Sequence, residues 1–348
     1  MLEKFVIFSI DISTFSLLLM AAFLTAAYLV PRELRRRGLT EEYGDHALLL
    51  AVVGTIVGAK IGYVLEVWGR IWRGPDGFWT KLEYVLFYWE GLGVKYASDA
   101  QYLGLWETLF SAGGLVFYGG FAMGFALLYF YLRYKKQSIW EYGDAFIPSM
   151  AIGYGIGRLG CIVSGDGCFG YGASWDIPFL TMEFHHHPSV VYLTSWLGYK
   201  PGGVMGTFGV TVWNTPMIEA ILSWILFAWM MLKLRFQNFK PGFMVAIFLV
   251  WNGIARFLVE FLRINDALIP VLDHPTYADG RLIEHHVQHT GEVGETAAEM
   301  AARMSAYFEN WHWYGFTQSQ VFGLLIALAG LIWIFQKKLY VRDDTQKS

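Results

Sequence analysis

Seven apolar runs, each close to the length needed to cross a bilayer, constrain this chain more than anything else in it. A spanning helix takes about 20 mostly apolar residues, and the runs fall near 6–30, 46–68, 109–132, 145–165, 216–234, 242–263 and 316–335. A chain 55% hydrophobic and only 16% charged fits this reading, because soluble domains carry about a quarter charged residues. The expected fold is therefore an all-α, multi-pass membrane bundle forming one domain over 1–348. The formal net charge of −3 gives no basic surface for nucleic acid. Two cysteines make no disulfide framework.

Orientation follows from the bias of basic residues towards cytoplasmic loops. Arg32, Arg35, Arg36 and Arg37 follow the first run, and Arg133, Lys135 and Lys136 the third. Lys233, Arg235 and Lys240 follow the fifth, and Lys337 and Lys338 the seventh. All four clusters fall on one side, which places the N-terminus outside and the C-terminus in the cytoplasm. The first run reads as a retained span, since its positive charges come after the apolar stretch and no small-residue cleavage site stands out. The long connections at about 69–108, 166–215 and 264–315 then lie outside. In the last of them, "GEVGETAAEMAARMSAYFENW" carries the spacing of a short amphipathic helix. No repeat of fixed period is visible, which argues against a transporter built from paired halves.

Charged residues inside the runs carry the chemistry, because each costs roughly 2.5–3.5 kcal/mol at a span centre on insertion scales. In "GIARFLVEFLR", Arg256, Glu260 and Arg263 are spaced i, i+4, i+7 and share one helical face. An internal salt bridge with the last arginine snorkelling accounts for part of the pattern. One carboxylate between two guanidiniums leaves a positive charge for an external anion to fill. Arg158, near the outer end of the fourth run, can approach the same level, and two arginines there suit a phosphate, which guanidinium grips bidentately. Lys60, in "VGAKIGYVLEV", reads equally as a snorkelling or paired lysine and as a ligand for the same anion. In "GGLVFYGGFAMG", Gly113, Gly114, Gly119, Gly120 and Gly124 surround Tyr118. Such glycines permit close approach of helices or of a lipid tail. Tyr118 is either an aromatic-belt residue or a hydrogen-bonding or proton-accepting group.

Taken in order, these fragments resemble the bacterial prolipoprotein diacylglyceryl transferases. "GAKIGYVL" resembles the family's second-helix motif, with Lys60 where an arginine is usual. "GGLVFYGG" resembles the third-helix motif, with Tyr118 in place of a histidine. "DAFIP" at 144–148 is similar to the start of the fourth helix. "GRLGCIVSGDGCFG" is similar to the signature G-R-x-G-N-F-x-N-x-E-x-x-G: Arg158 and Gly160 hold, Gly170 supplies the closing glycine one residue further on, Cys161 and Ser164 replace asparagines, and Asp166 replaces a glutamate. "NTPMIEA" keeps Glu219, "ARFLVEFLR" keeps Arg256, Glu260 and Arg263, and "FTQSQ" resembles the opening of the last helix. Phe15 stands where the first helix usually carries a tyrosine.

The resemblance implies transfer of the diacylglyceryl group of phosphatidylglycerol to the lipobox cysteine of a prolipoprotein, at the outer face of the bacterial cytoplasmic membrane. It implies as partners phosphatidylglycerol, the prolipoprotein signal peptide and membrane lipids, and no metal or soluble cofactor. Arg158, Arg256, Tyr118 and Glu260 are the expected catalytic residues. Lys60, Gly119, Gly120, Gly160, Asp166, Gly170, Glu219 and Arg263 are expected to bind substrate. The attacking sulfur belongs to the substrate, so no nucleophile is needed from this chain. An alternative on the same scaffold is a paralogue that binds phospholipid or supports assembly without turnover. "HHHP" at 185–188 and "EHHVQH" at 284–289 lack a Glu-paired zinc signature and read as solvated external segments. Cys161 reads as a small packed residue, with pairing to Cys168 the other possibility.

Overall fold

A computed structural model describes residues 4–7, 10–72, 117–164, 168–183, 210–276, 280, 282 and 297–341. Eight α-helices lie among the described residues. They are α1 (Thr14–Arg36), α2 (Glu41–Trp72), α3 (Phe117–Tyr134), α4 (Ile139–Ser164), α5 (Thr215–Leu232), α6 (Phe243–Val259), α7 (Ala297–Asn310) and α8 (Gln318–Gln336). Six of them, α1, α2, α4, α5, α6 and α8, are long and apolar enough to cross a membrane. The protein is thus an all-α, multi-pass membrane protein. Part of the expected third span, 109–116, lies outside the described residues, and α3 is its remainder.

The first span begins later than the sequence pattern predicts. Residues expected to open a helix at 6 instead form the strands β1 (Lys4–Ile7) and β2 (Ile10–Ser13), which pair antiparallel with Lys4 opposite Ser13. "KFVIFSIDIS" is rich in β-branched and aromatic residues and so favours a pleated conformation. The helix starts at Thr14 and runs on through Arg35 and Arg36, which occupy its last turn. Cations there complement the negative end of the helix dipole. In the same way α2 starts at Glu41, earlier than 46, with Glu41 and Glu42 in its first turn.

The chain divides into two compact units, Val30–Tyr142 and Met1–Leu29 with Gly143–Ser348. In the smaller, α2 and α3 pack backbone to backbone. A Cβ added at Gly58 would sit 2.3 Å from the Gly119 carbonyl oxygen, and one at Gly119 the same distance from that of Gly58. Only glycine at both positions allows this approach. Gly120 closes on the Thr55 carbonyl in the same way, at 2.8 Å. Lys60 is buried on α2, two residues beyond Gly58.

In the larger unit, α4, α5, α6 and α8 share a core that includes Ala151, Leu226, Met230, Met244, Ala246 and Ile334. Gly253 of α6 and Gly323 of α8 meet closely enough that a Cβ on Gly253 would stand 2.4 Å from the Gly323 oxygen. Asp144, from "DAFIP", lies within the second turn of α4 and is 2% exposed. Its two carboxylate oxygens accept the backbone N–H groups of Gly242, at 2.9 Å, and Val245, at 3.0 Å, so it caps α6 across the fold. Gly242 itself takes φ +96°, a conformation for which glycine is suited.

The segment expected to be an external loop at 264–315 is more ordered than that description. It holds β5 (Ala267–Pro270), antiparallel to β6 (Gly315–Thr317), and the amphipathic α7. Tyr307, Phe308, Trp311 and Tyr314 from this region bury with Phe169, Val212 and Ile264 in a second, aromatic core. Aromatic side chains supply that core with much apolar area from few residues. Burial pushes the Tyr314 phenol above its ordinary pKa, so it stays protonated while accepting the Ala267 N–H at 3.0 Å. Of the preceding connection, β3 (Thr181–Met182) and β4 (Val212–Trp213) form a two-stranded ladder. Both histidine clusters lie outside the described residues.

Candidate active site

The intramembrane charges of the larger unit gather where α4 ends, α5 begins, α6 ends and α8 begins. Local sequence sets each start. Asn214 caps α5, its side chain accepting the Met217 N–H at 3.2 Å, with Pro216 in the first turn. Glu219 follows in the second turn, near the positive end of the helix dipole. Thr317 caps α8 in a reciprocal box with Gln320: the threonine hydroxyl accepts the Gln320 N–H at 3.3 Å and Gln320 Oε1 accepts the Thr317 N–H at 3.0 Å.

Glu219, 4% exposed, is the hub. Its Oε2 accepts the Tyr154 hydroxyl proton at 2.6 Å and is ion-paired with Arg158 Nε. Its Oε1 accepts Arg256 Nη1 at 2.7 Å and lies 3.7 Å from Arg263 Nη1. Arg256 reaches on to Glu260 Oε2 at 2.9 Å and to Ser319 Oγ at 3.2 Å. Glu260 is fully buried. Thr317 and Asn265 donate to its Oε1 at 2.9 and 2.7 Å, hydrogen bonds that offset part of the cost of burying the carboxylate, while Oε2 faces the arginines. Arg263 pairs with Glu260 only at 3.9 Å. Among the described residues it makes no side-chain hydrogen bond, so its donors are the least committed of the three guanidiniums. These three arginines and two glutamates sum to a formal +1. Beside them, Tyr154, Glu219, Ser223, Trp251, Asn252 and Arg256 line a cavity of about 20 Å³, room for a single water.

The structure thus brings together Arg158, Glu219, Arg256, Glu260 and Arg263. The i, i+4 pairing of Arg256 with Glu260 forms as its spacing predicts. The helix, however, ends at Val259, and a 3₁₀ turn over Glu260–Leu262 carries the chain to Arg263. Gly170 sits against that turn: its N–H donates to the Trp213 carbonyl at 2.7 Å and it bridges antiparallel to Arg263. A Cβ there would fall 2.0 Å from the Leu262 oxygen, so Gly170 works as a point of backbone approach. Gly160 is likewise crowded from outside, since a Cβ on it would stand 2.9 Å from the ring of Phe15. Cys161 Sγ lies 3.7 Å from Arg158 Nη1. Asp166 falls outside the described residues. Lys60, Tyr118, Gly119 and Gly120 belong to the smaller unit, Tyr118 and the two glycines in the first turn of α3.

Sequence reasoning missed Tyr154, Ser319, Thr317 and Asn265. Tyr154 was open to detection, since it precedes Arg158 by four residues in "GYGIGR" and therefore shares its face. Thr317 and Gln320 spell a capping box. Nothing in the spacing marks Asn265.

Apolar helices that enclose a shared arginine–glutamate centre, formally charged +1 and set at one end of the spans, define an integral membrane protein with a cationic cluster inside its helix bundle. The model of the prolipoprotein diacylglyceryl transferase family matches residues 4–336. The chain belongs to this family of transferases. It is 41% identical over 334 residues to the phosphatidylglycerol–prolipoprotein diacylglyceryl transferase of Leptospira interrogans serogroup Icterohaemorrhagiae serovar copenhageni (strain Fiocruz L1-130), covering 96% of this chain and 91% of the relative. Proteins of the same name from Prochlorococcus marinus (strain MIT 9301) and Geobacter sulfurreducens (strain ATCC 51573 / DSM 12127 / PCA) are each 26% identical. They cover 78% and 77% of this chain, and 81% and 84% of their own lengths.

Proposed function

We propose that this protein moves the diacylglyceryl group of phosphatidylglycerol onto the lipobox cysteine thiol of a prolipoprotein, with Arg158 and Arg256 stabilising the departing phosphate. The observation that carries this reading is the convergence of Arg158, Arg256 and Arg263 on Glu219, with Glu260 the second carboxylate of the cluster, which leaves one positive charge for an anion. In the reaction the thiolate sulfur attacks the glyceryl carbon as the carbon–oxygen bond to phosphate breaks. Glycerol phosphate leaves with the electron pair, and the thiol proton passes to a base. Guanidiniums already held in place meet the growing negative charge on the phosphate without reorganising. Glu260 holds Arg256, and Arg263, with the least committed donors, takes a further phosphate oxygen. Tyr118 receives the role of base from its motif position alone. Lys60, Gly119, Gly120 and Asp166 are assigned to lipid binding on the same ground.

The protein sits in the bacterial cytoplasmic membrane with this centre towards the outer leaflet. Supporting that side, the centre lies at the starts of α5 and α8, whereas Lys233, Arg235, Lys337 and Lys338 follow their opposite ends. Basic residues gather on the cytoplasmic side.

The test is lipidation of a precursor peptide by purified Arg158→Ala and Arg256→Ala variants, and rescue of a strain depleted of its own transferase. Both variants should fold and insert but lose about 10²–10³-fold in turnover, the range for removing a preorganised charge-stabilising donor. Normal activity in both would end the mechanism. Copurified phospholipid with no product under any condition would instead identify a non-catalytic lipid-binding paralogue.

A further inference from the structure

Arg158 is held by one residue that no motif assigns. Tyr154 lies one helical turn earlier on α4, and its hydroxyl accepts both Arg158 Nε, at 3.1 Å, and Nη2, at 2.9 Å. The same hydroxyl donates to Glu219 Oε2 at 2.6 Å. The guanidinium carbon also stands 5.1 Å from the centre of the tyrosine ring. One side chain therefore fixes the arginine through its ring and its oxygen, and ties it to the carboxylate from another helix.

The consequence lies in which edge of the guanidinium is taken. A guanidinium offers two forked edges, Nε with Nη2 along its side and Nη1 with Nη2 at its end, each able to grip two oxygens of a phosphate. Tyr154 and Glu219 fill the side edge. Among the described residues the end edge makes one hydrogen bond, to Cys161 Sγ at 3.7 Å from Nη1, a long contact to a weak acceptor. With the tyrosine hydroxyl removed, the side edge would be released and the arginine free to close directly on Glu219, which already touches Nε. We propose that Tyr154 is a positioning residue: it occupies the side edge of Arg158 so that the end edge meets the phosphate of the lipid. The assignment rests on the proposed reaction, in which Arg158 acts on the leaving group.

Tyr154→Phe keeps the ring and deletes the hydroxyl. Turnover should fall about 10- to 100-fold, the range for losing a hydrogen bond to a charged group. KM for phosphatidylglycerol should change little, because misaligned donors weaken the transition state more than the resting complex. The measurement is kcat and KM for Tyr154→Phe, made in the wild-type protein and again beside Arg158→Lys, whose ammonium has no forked edge to align. Non-additive losses, with little further effect of Tyr154→Phe beside Arg158→Lys, are expected. Unchanged kcat in Tyr154→Phe overturns the proposal, and so do equal fractional losses in both backgrounds, which would mean that Tyr154 acts through the fold or through its own chemistry. Full activity in Arg158→Ala would overturn the proposed mechanism itself, a separate result.

Discussion

Replacing Glu219 by glutamine keeps the shape of the hub and removes its charge, taking the five-residue cluster from +1 to +2. Glu219 is 4% exposed and the arginines around it 18%, 27% and 14%, so water screens them poorly. Removing one partner of a buried pair costs about 3–5 kcal/mol, because the remaining charge stays uncompensated. The exposed pair Arg35–Glu41 serves as the control. It has the same 2.7 Å separation as Arg256–Glu219, but its side chains are 70% and 36% exposed. Glu41→Gln should therefore leave stability near wild type. The assay is unfolding in detergent, followed by tryptophan fluorescence, for both variants and wild type. Saturating phosphatidylglycerol should narrow the deficit of Glu219→Gln, since ligand at about 100 times its Kd contributes about 2.7 kcal/mol; diacylglycerol, which has no phosphate, should not. Glu219→Gln unfolding with the wild type, or a deficit blind to phosphatidylglycerol, would refute the claim that this carboxylate neutralises the arginines and that an anion can take its place.

Two further outcomes follow from backbone contacts. Asp144→Ala should destabilise the protein by about 1–3 kcal/mol, because two N–H groups at the start of α6 lose their acceptor; a denaturant titration reads this, with turnover of the folded fraction unchanged. Gly170→Ala should sharply lower the yield of folded, active protein, as its Cβ would meet the Leu262 oxygen at 2.0 Å, whereas Gly157→Ala, with nothing within 4 Å, should be tolerated. Equal behaviour of the two glycine variants would show that the Gly170 contact is not essential.

How far the sequence discloses this arrangement depends on the range of each interaction. The pairing of Arg256 with Glu260 is written in their spacing, as is Tyr154 beneath Arg158, because both live on one helix face. That Arg158 and Arg256 converge is expected from their depth. The agent of convergence, Glu219, is 37 residues from Arg256, and no local pattern reports a meeting of that kind. The first span shows the opposite failure. Hydrophobicity alone puts its start at residue 6, although the β-branched alternation of "VIFSIDIS" already favours strand over helix. Gly170 reads as part of a binding signature, and its crowding against Leu262 is visible only once the 3₁₀ turn after α6 is in place.

Tyr154 and Glu219 are 65 positions apart, and this separation bears on how the molecule is made. When α4 has left the ribosome, the acid that will neutralise Arg158 has not yet been synthesised. Until α5 arrives, that arginine has to be accommodated at the lipid headgroups, where a long side chain can reach water. Biogenesis thus has a built-in order, in which the polar heart of the protein closes only after later helices dock. An arrest of translation between the two helices should leave α4 shallow or loosely inserted.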